Sequence, residues 1–198
     1  LVAELHKNLK PILNNTFEDY DDSVRANCDI QVRFLEEPVN EWENIKDVNG
    51  VSALEHFYAD QTRHAFSFQM MAYISRLSLM RSALAEVYAD CAKHPNRHWV
   101  IVSERSVQTD RYVFAAMLYE SNQLSDIEMQ IYLRWHDEFT HDFPEATTVY
   151  LRTPPTVCFD RVQKRHRAGE VITETKEAQG ISLSYLERCH KYHDAYIG

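Results

Sequence analysis

The feature that most constrains the fold is the stretch of residues 51–92, which contains neither proline nor glycine. It is rich in helix-forming residues and predicts one or two long helices, with a break near residues 61–64. Apolar runs at residues 30–39 and 98–103, on either side of it, predict strands. A connection of this length is too long for a hairpin and favours parallel pairing. We therefore predict an α/β fold with a doubly wound parallel sheet flanked by helices.

Further elements follow from hydrophobic period, capping residues and prolines. Pro38 limits the first strand, since the residue before a proline avoids the helical region. Ser125 is the predicted N-cap of a helix that begins beside it. Helices are predicted at residues 1–13, 110–121, 125–143, 156–170 and 181–197. One further strand is predicted at residues 147–155.

The length of 198 residues suits a single domain, and we expect residues 1–198 to form one. The formal net charge of −9 argues against nucleic acid or an anionic membrane as a partner. No apolar run approaches the roughly 20 residues that span a bilayer. The four cysteines form no CxxC pair, and no secretory signal is visible. We expect free thiols in an intracellular compartment, the cytoplasm being favoured over the mitochondrion.

Charged residues follow two of the predicted strands, where ligands of such sheets bind. Glu36 and Glu37 follow the first strand, and Glu104 and Arg105 follow the second. A carboxylate at this edge is able to accept a proton from a substrate hydroxyl, and an arginine is able to bind phosphate. The alternatives are a solvated loop acid for Glu37 and a structural ion pair for Glu104 with Arg105.

A basic cluster lies at the end of the helix predicted for residues 156–170. Its members are Arg161, Lys164, Arg165 and Arg167. Arg161 and Arg165 are four residues apart and share a helix face, where like charges repel unless an anion joins them. The cluster is either a solvated basic face or a lid over transferring phosphates, and Gly169, which loosens the segment, favours the lid.

The segment FSFQMMAYISR (66–76) places several unlike residues near one helix face. These are Phe68, Gln69, Ala72 and Arg76. Aromatic residues at such positions usually belong to the core, but a glutamine and an arginine on the same face are unusual there. A buried glutamine offers both a donor and an acceptor, which suits the edge of a nucleobase.

Six segments, taken in order, resemble the deoxynucleoside kinase family, which includes deoxycytidine, deoxyguanosine and insect-type multisubstrate kinases. The segments are EEPVNEW (36–42), FSFQMMAYISR (66–76), SERSVQTDRYVF (103–114), IYLRWHDEF (131–139), VYLRTPPTVCFDRVQKRHR (149–167) and QGISLSYLERCHKYHDAY (179–196). The resemblance implies a P-loop kinase-like fold. It also implies transfer of a phosphoryl group from ATP or another NTP to the 5′-hydroxyl of a deoxynucleoside, in nucleotide salvage.

The resemblance assigns catalytic and lid roles to individual residues. Glu37 is expected to be the general base for the 5′-hydroxyl, and Arg105 to hold that hydroxyl and the incoming phosphoryl group. Glu104 is expected to help place Mg²⁺. The lid segment, residues 161–179, would contribute Arg161, Arg165 and Arg167 to the phosphates, and Glu170 to the sugar 3′-hydroxyl, with Glu174 and Glu177 as alternatives to Glu170.

The resemblance also assigns the nucleoside contacts. Tyr58 matches the tyrosine that binds the sugar 3′-hydroxyl. Gln69 would pair with the base edge, and Phe114 and Trp42 would pack on the faces of the base, in a pocket that also includes Phe68 and Ala72. Arg76 and Asp110 resemble the charged pair of members that prefer deoxycytidine or purines. Such a pair bonds an exocyclic amine and crowds a thymine methyl group, so thymidine is expected to be the poorer substrate.

The chain departs from the family pattern in several places. The motif GxxxxGK[ST] is not among the 198 residues, although the family has it directly before a helix that resembles LVAELHKNL. An acidic insertion lies at residues 168–178, and the family continues with a further strand after its last helix. We therefore expect the domain to be incomplete at both ends.

Three hypotheses remain open at this point. The first is a deoxynucleoside kinase that forms a homodimer. Residues 71–88 and 110–121 would supply the interface, although their periodicity equally allows packing in the core. The second is a non-catalytic relative that serves as a structural subunit of a larger complex. The third is a nucleoside monophosphate kinase, which is disfavoured because a monophosphate acceptor needs a further arginine near Glu37.

Overall fold

The structure is a computed structural model and describes residues 29–141, 143–165 and 180–198. The predicted helix at residues 1–13 lies outside these ranges. The elements in chain order are β1 (Asp29–Leu35), α1 (Val39–Asn44), α2 (Ala53–Ala59), α3 (Gln61–Cys91), β2 (Arg97–Ser103), α4 (Val107–Thr109), a π-helix (Asp110–Ala115), α5 (Ala116–Glu120), α6 (Asp126–Thr140), α7 (Pro155–Arg165) and α8 (Leu183–Ile197).

The two strands pair in parallel, as predicted. Their register runs from Asp29 opposite Arg97 to Leu35 opposite Ser103. Strand β1 ends at Leu35, three residues before the proline that was expected to limit it. Among the described residues the sheet contains these two strands, so the doubly wound sheet stays a prediction.

The described residues group into two compact units. Residues 29–37 and 76–106 form the first, which contains both strands, and the remainder form the second. In the first unit, Arg97 donates to Asp29 over 2.7 Å and to Asp90 over 2.8 Å, which ties the start of β2 to β1 and to the end of α3. In the second unit, the largest fully buried side chains are Tyr73, Tyr132, Met117, Leu118, Val113 and Asp110.

The helical prediction for residues 51–92 is confirmed. Helix α2 begins with a capping box, in which the Ser52 hydroxyl accepts from Glu55 N while the Glu55 side chain accepts from Ser52 N. The break falls at Asp60, and α3 then continues for 31 residues. Helix α6 begins at the predicted N-cap, because Ser125 and Glu128 form a second capping box.

The helix predicted at residues 110–121 is more irregular than expected. It consists of a π-helical segment, Asp110–Ala115, followed by α5. The Ala116 N–H donates to the Arg111 carbonyl, five residues back, in addition to that of Val113. Such a wide turn changes the direction of nearby side chains and recurs at functional sites.

The strand predicted at residues 147–155 is wrong. Residues 144–154 have no regular secondary structure, and the apolar side chains Val149 and Leu151 are 80% and 56% exposed. A strand needs a neighbour for its backbone hydrogen bonds, and alternation in the sequence does not supply one. The side chains of Tyr150 and Arg152 instead bond Asp194 on α8.

Two compositional expectations bear on the described residues. Cys91, Cys158 and Cys189 are free thiols, as expected, and Cys28 lies outside the described ranges. No helix within the described ranges has the length and apolar character needed to cross a membrane.

Candidate active site

The first unit brings together three of the predicted site residues at the ends of its strands. Because Leu35 and Ser103 are partners in the register, Glu37 and Arg105 each lie two residues beyond the end of their strand. Their side chains meet, and Arg105 Nη1 donates to Glu37 Oε1 over 3.0 Å. The Glu104 N–H donates to the Leu35 carbonyl over 2.9 Å, which extends the parallel pairing to the start of the site.

Arg76 is the third member of this cluster. Its Nη2 donates to the same Glu37 Oε1 atom, also over 3.0 Å. The Arg76 and Glu37 side chains are only 3% and 12% exposed, whereas Arg105 is 43% exposed. Glu37 is thus held by a buried arginine, with a more accessible arginine beside it. Charge-assisted bonds of this kind orient a carboxylate well.

The backbone at Arg105 is strained. Its φ angle of 62° is in the left-handed region, which a residue with a Cβ atom seldom adopts. Strained residues of this type concentrate at functional sites, where neighbouring structure holds them. With its backbone in this conformation, Arg105 donates to Glu37.

The second unit brings together the residues predicted to bind the base. Gln69 and Asp110 are 3% and 2% exposed, and Gln69 Nε2 donates to the Asp110 backbone carbonyl over 3.0 Å. The Gln69 amide is therefore oriented by the first residue of the π-helix. Burial, and next the nearby Asp110 carboxylate, raise the pKa of Tyr132, whose ring lies against this pair.

Aromatic side chains form a cluster around the predicted Trp42, Tyr58, Phe68 and Ala72. Trp42 contacts Phe68 edge to face at 5.5 Å, and its Nε1 donates to Ser75 Oγ over 2.9 Å. Ala72 packs in the same apolar cluster, together with Tyr58 and Phe68. The predicted aromatic residues Trp42, Tyr58 and Phe68 thus share one apolar cluster with Ala72.

Phe114 lies in the π-helix and contacts α8. Its ring contacts His193 of α8 edge to face at 5.8 Å. Its predicted role on one face of the base stays a prediction.

A further polar cluster supports the π-helix. Arg111 Nη1 contacts His136 Nδ1 over 3.2 Å and also donates to Asp137 Oδ1. His136 is buried, and its ring lies 5.7 Å from that of Tyr73. Burial, and next the Arg111 guanidinium, lower the pKa of His136 below its ordinary value.

Only part of the predicted lid lies within the described ranges. Arg161 and Arg165 are exposed on α7, one turn apart. Arg167 and Glu170, as well as Glu174 and Glu177, lie outside those ranges.

Sequence reasoning missed several residues of these clusters. Phe57 stacks on Phe68 at 4.4 Å, and Tyr132 and His136 support the Gln69–Asp110 pair and the π-helix. The signal for the last two was present in IYLRWHDEF, where a tyrosine and a histidine lie four residues apart and share a helix face.

Comparison with known proteins identifies the class to which this arrangement belongs. The sequence model described as "Deoxynucleoside kinase" matches residues 22–198, which is most of the chain. The chain therefore belongs to the deoxynucleoside kinase family, and the resemblance seen in its motifs is confirmed. The family has a P-loop kinase fold, consistent with the parallel strands β1 and β2.

Several curated relatives are similar along most of the chain. Deoxycytidine kinase 2 of Gallus gallus is 35% identical over 179 residues, covering 82% of this chain and 63% of that protein. The mitochondrial deoxyguanosine kinase of Xenopus laevis is 28% identical, covering 94% and 66%. The human mitochondrial thymidine kinase 2 is 27% identical, covering 84% and 55%. The chain thus spans less than two thirds of the length of these relatives.

Proposed function

We propose that the protein phosphorylates the 5′-hydroxyl of deoxynucleosides, using ATP or another NTP as donor. The observation that carries this proposal is the bond between Glu37 and Arg105 at equivalent positions beyond two parallel strands. This pair puts a proton acceptor and a phosphate-binding guanidinium within one hydrogen bond of each other. Membership of the deoxynucleoside kinase family supports the same activity.

In this proposal Glu37 is the general base. Both arginines donate to its Oε1 atom, and no hydrogen bond to Oε2 is present among the residues that the structure describes. Oε2 is the atom that we propose accepts the proton of the 5′-hydroxyl. Arg105 then stabilises negative charge on the transferred group, since phosphoryl transfer depends mainly on positioning and electrostatic stabilisation.

The proposed activity also needs a donor and a metal ion. Mg²⁺ usually binds one or two carboxylates together with substrate phosphates, and it neutralises phosphate charge. The residues present fit such an ion, because the Glu104 side chain is exposed at the end of β2, beside Arg105. Arg161 and Arg165, with Arg167 and Glu170, are the proposed lid contacts.

We propose deoxycytidine or a purine deoxynucleoside as the preferred substrate over thymidine. The support is the buried polar character of Gln69 and Asp110, since an enclosed carboxylate favours a base with an exocyclic amine. The proposed 3′-hydroxyl contact is Tyr58, and Trp42, Phe68, Ala72 and Phe114 are the proposed base contacts. Arg76, which bonds Glu37, is the proposed partner of Asp110 in selecting the base.

We also propose a homodimer and an intracellular, reducing location. Free thiols support the location. Exposed apolar side chains support the dimer, both in the segments predicted for the interface and along α6. They are Ile74, Tyr88, Tyr112, Tyr119, Ile127, Ile131 and Trp135. Light scattering is expected to give a dimer mass for the wild type and a lower mass for Trp135→Glu.

The test of the activity is a phosphoryl-transfer assay of the full-length protein against the four deoxynucleosides. Deoxycytidine or a purine nucleoside is expected to give the highest kcat/KM. Glu37→Gln keeps the shape of the side chain but removes the base, and is expected to lower kcat by about 10²–10⁴-fold. The matched control is Glu36→Gln, an exposed neighbour expected to retain wild-type turnover.

Two outcomes would overturn these proposals. A full-length protein that transfers phosphate to none of the four nucleosides would favour the non-catalytic alternative. Thymidine as the clear favourite would leave the kinase activity intact but would overturn the role of Arg76 and Asp110 in selecting the base.

A further inference from the structure

The inner face of helix α6 carries two buried polar rings that the proposed transfer step does not use. Tyr132 and His136 lie one turn apart and are 0% and 5% exposed. Tyr73 of α3 contacts both rings at 5.7 Å. Burying an imidazole costs free energy unless its nitrogens form hydrogen bonds. The hydrogen-bond partners of His136 therefore indicate what the residue does in the fold.

The partner of His136 determines which of its nitrogens carries the proton. Arg111 has only donors, so the 3.2 Å contact requires a lone pair on His136 Nδ1. A ring that accepts this bond carries its proton on Nε2, which is buried and has no hydrogen-bond partner among the described residues. Asp137, the next residue of α6, accepts from the same Arg111 Nη1 atom. Two consecutive side chains of α6 thus accept hydrogen bonds from one guanidinium nitrogen.

Arg111 is the residue directly after Asp110 in the π-helix, and Asp110 is held in turn by Gln69. Gln69 on α3 bonds the Asp110 carbonyl, while His136 and Asp137 on α6 bond the Arg111 side chain. The first two residues of the π-helix are therefore clamped from two different helices. Because Asp110 is 2% exposed, a shift of this turn would displace its carboxylate within a closely packed region.

We propose that His136 is a positioning residue for base selection. It acts through Arg111 to keep the π-helical turn, and with it the Asp110 carboxylate, in a fixed position. The inference rests on the proposed function and deepens it: the ligand class is a deoxynucleoside whose base carries an exocyclic amine. His136 touches neither sugar nor phosphate in this role. Its effect belongs to the binding and discrimination of the base, and not to the transfer step.

Three variants of the full-length protein separate this role from simple packing. His136→Asn keeps an acceptor close to the position of Nδ1. His136→Phe keeps a ring against Tyr73 and Tyr132 but has no acceptor for Arg111. His141→Phe is the control, since His141 is an exposed histidine just beyond the end of the same helix.

The kinetic readout is the ratio of kcat/KM for deoxycytidine to that for thymidine. For His136→Phe we expect KM for deoxycytidine to rise about tenfold with kcat within about threefold, and the ratio to fall about tenfold. His136→Asn is expected to restore most of the ratio, and His141→Phe to leave it unchanged. Equal ratios in wild type and His136→Phe, or a loss confined to kcat, would overturn the inference.

A second readout does not depend on turnover. Hydrogen exchange at the backbone amides of residues 107–116 is expected to accelerate in His136→Phe and to be largely restored in His136→Asn. Unchanged exchange in His136→Phe overturns the positioning role. A wild-type protein without turnover of any deoxynucleoside overturns the proposed function and base selection with it, while the exchange result still decides whether His136 positions the turn.

Discussion

The two groups of candidate site residues are built in different ways. At the strand ends, Glu37 is shared by two arginines, one of which is 43% exposed. In the second unit, Gln69 and Asp110 are almost fully buried, and their bond is enclosed by aromatic rings and by α6. The first group is a cluster of charges that Arg105 opens to solvent, and the second group is a set of buried side chains joined by hydrogen bonds.

The difference matches the two kinds of work that the proposed reaction requires. A proton acceptor and a phosphate-binding arginine must exchange partners during a turnover, so a partly exposed cluster suits them. Base recognition needs donors and acceptors whose directions do not change, and side chains that are buried and closely packed provide this. We expect substitutions of Glu37 and Arg105 to act mainly on turnover, and those in the second group to act on stability and selectivity.

The largest expected effect comes from the exposed arginine of the strand-end cluster. Arg105→Ala removes a guanidinium proposed to stabilise transferring charge, and kcat is expected to fall by about 10²–10³-fold. The control is Arg33→Ala, which breaks a bond to Glu86 between two exposed side chains of the same unit. Steady-state kinetics of both variants checks this, and an Arg105→Ala protein as active as Arg33→Ala would remove Arg105 from the mechanism.

The next largest effect tests whether the hydrogen bond of Gln69 in the second group is shielded from solvent. Gln69→Leu removes a buried bond to a backbone carbonyl, and is expected to lower the free energy of unfolding by roughly 1–2 kcal/mol. Gln130→Leu removes the same type of bond, from Nε2 to the Asp126 carbonyl, on the exposed face of α6. Urea unfolding is expected to show less than about 0.5 kcal/mol for this control. Equal losses would contradict the contrast in burial.

The same contrast explains how far the sequence could predict the structure. Parallel pairing followed from connection length, and the Ser125 cap followed from a local capping signal. A break was predicted near residues 61–64, and the structure has it at Asp60. The meeting of Glu37 and Arg105 followed from parallel pairing, because equivalent positions beyond two parallel strands lie at one edge. These features need only the order of the elements.

The features that sequence reasoning missed depend on tertiary contacts. The alternation at residues 147–155 predicts a strand, but a strand also requires a partner that the pattern cannot reveal. The π-helical turn depends on the side chains that pack around it. The family motif includes Asp110, but it does not show which residues bond the backbone and side chains of this turn. The partnership of Arg76 with Glu37 was likewise unforeseen, since the resemblance linked Arg76 to the base.

A smaller effect separates the two contributions of Arg105, its charge and its backbone. Both Arg105→Ala and Arg105→Gly remove the guanidinium, but only glycine adopts a φ of 62° without strain. We expect the glycine variant to be more stable than the alanine variant by about 1 kcal/mol, with equally low kcat. Urea unfolding of the pair measures this difference, and an alanine variant at least as stable would show that the turn carries no strain.

The smallest expected effect is a pH dependence that belongs to the buried group. The pKa of His136 in the folded protein lies below its ordinary value of 6.5, chiefly through burial and then through Arg111. Above pH 6.5 the ring is neutral in both states, so His136 adds no pH dependence there. As the pH falls from about 6.5 through the lowered folded pKa, the unfolded chain takes up the proton first, and stability declines.

His136→Phe lacks this titration but keeps the other histidines, including His64, whose pKa is also lowered. The wild type is therefore expected to lose more unfolding free energy than His136→Phe when the pH is reduced from about 7.5 to 5.5. Parallel urea titrations of the two proteins check the sign. Equal losses would mean that acid does not disturb the contact of His136 with Arg111. They would also mean that the second group accommodates a protonated His136 more readily than its burial indicates.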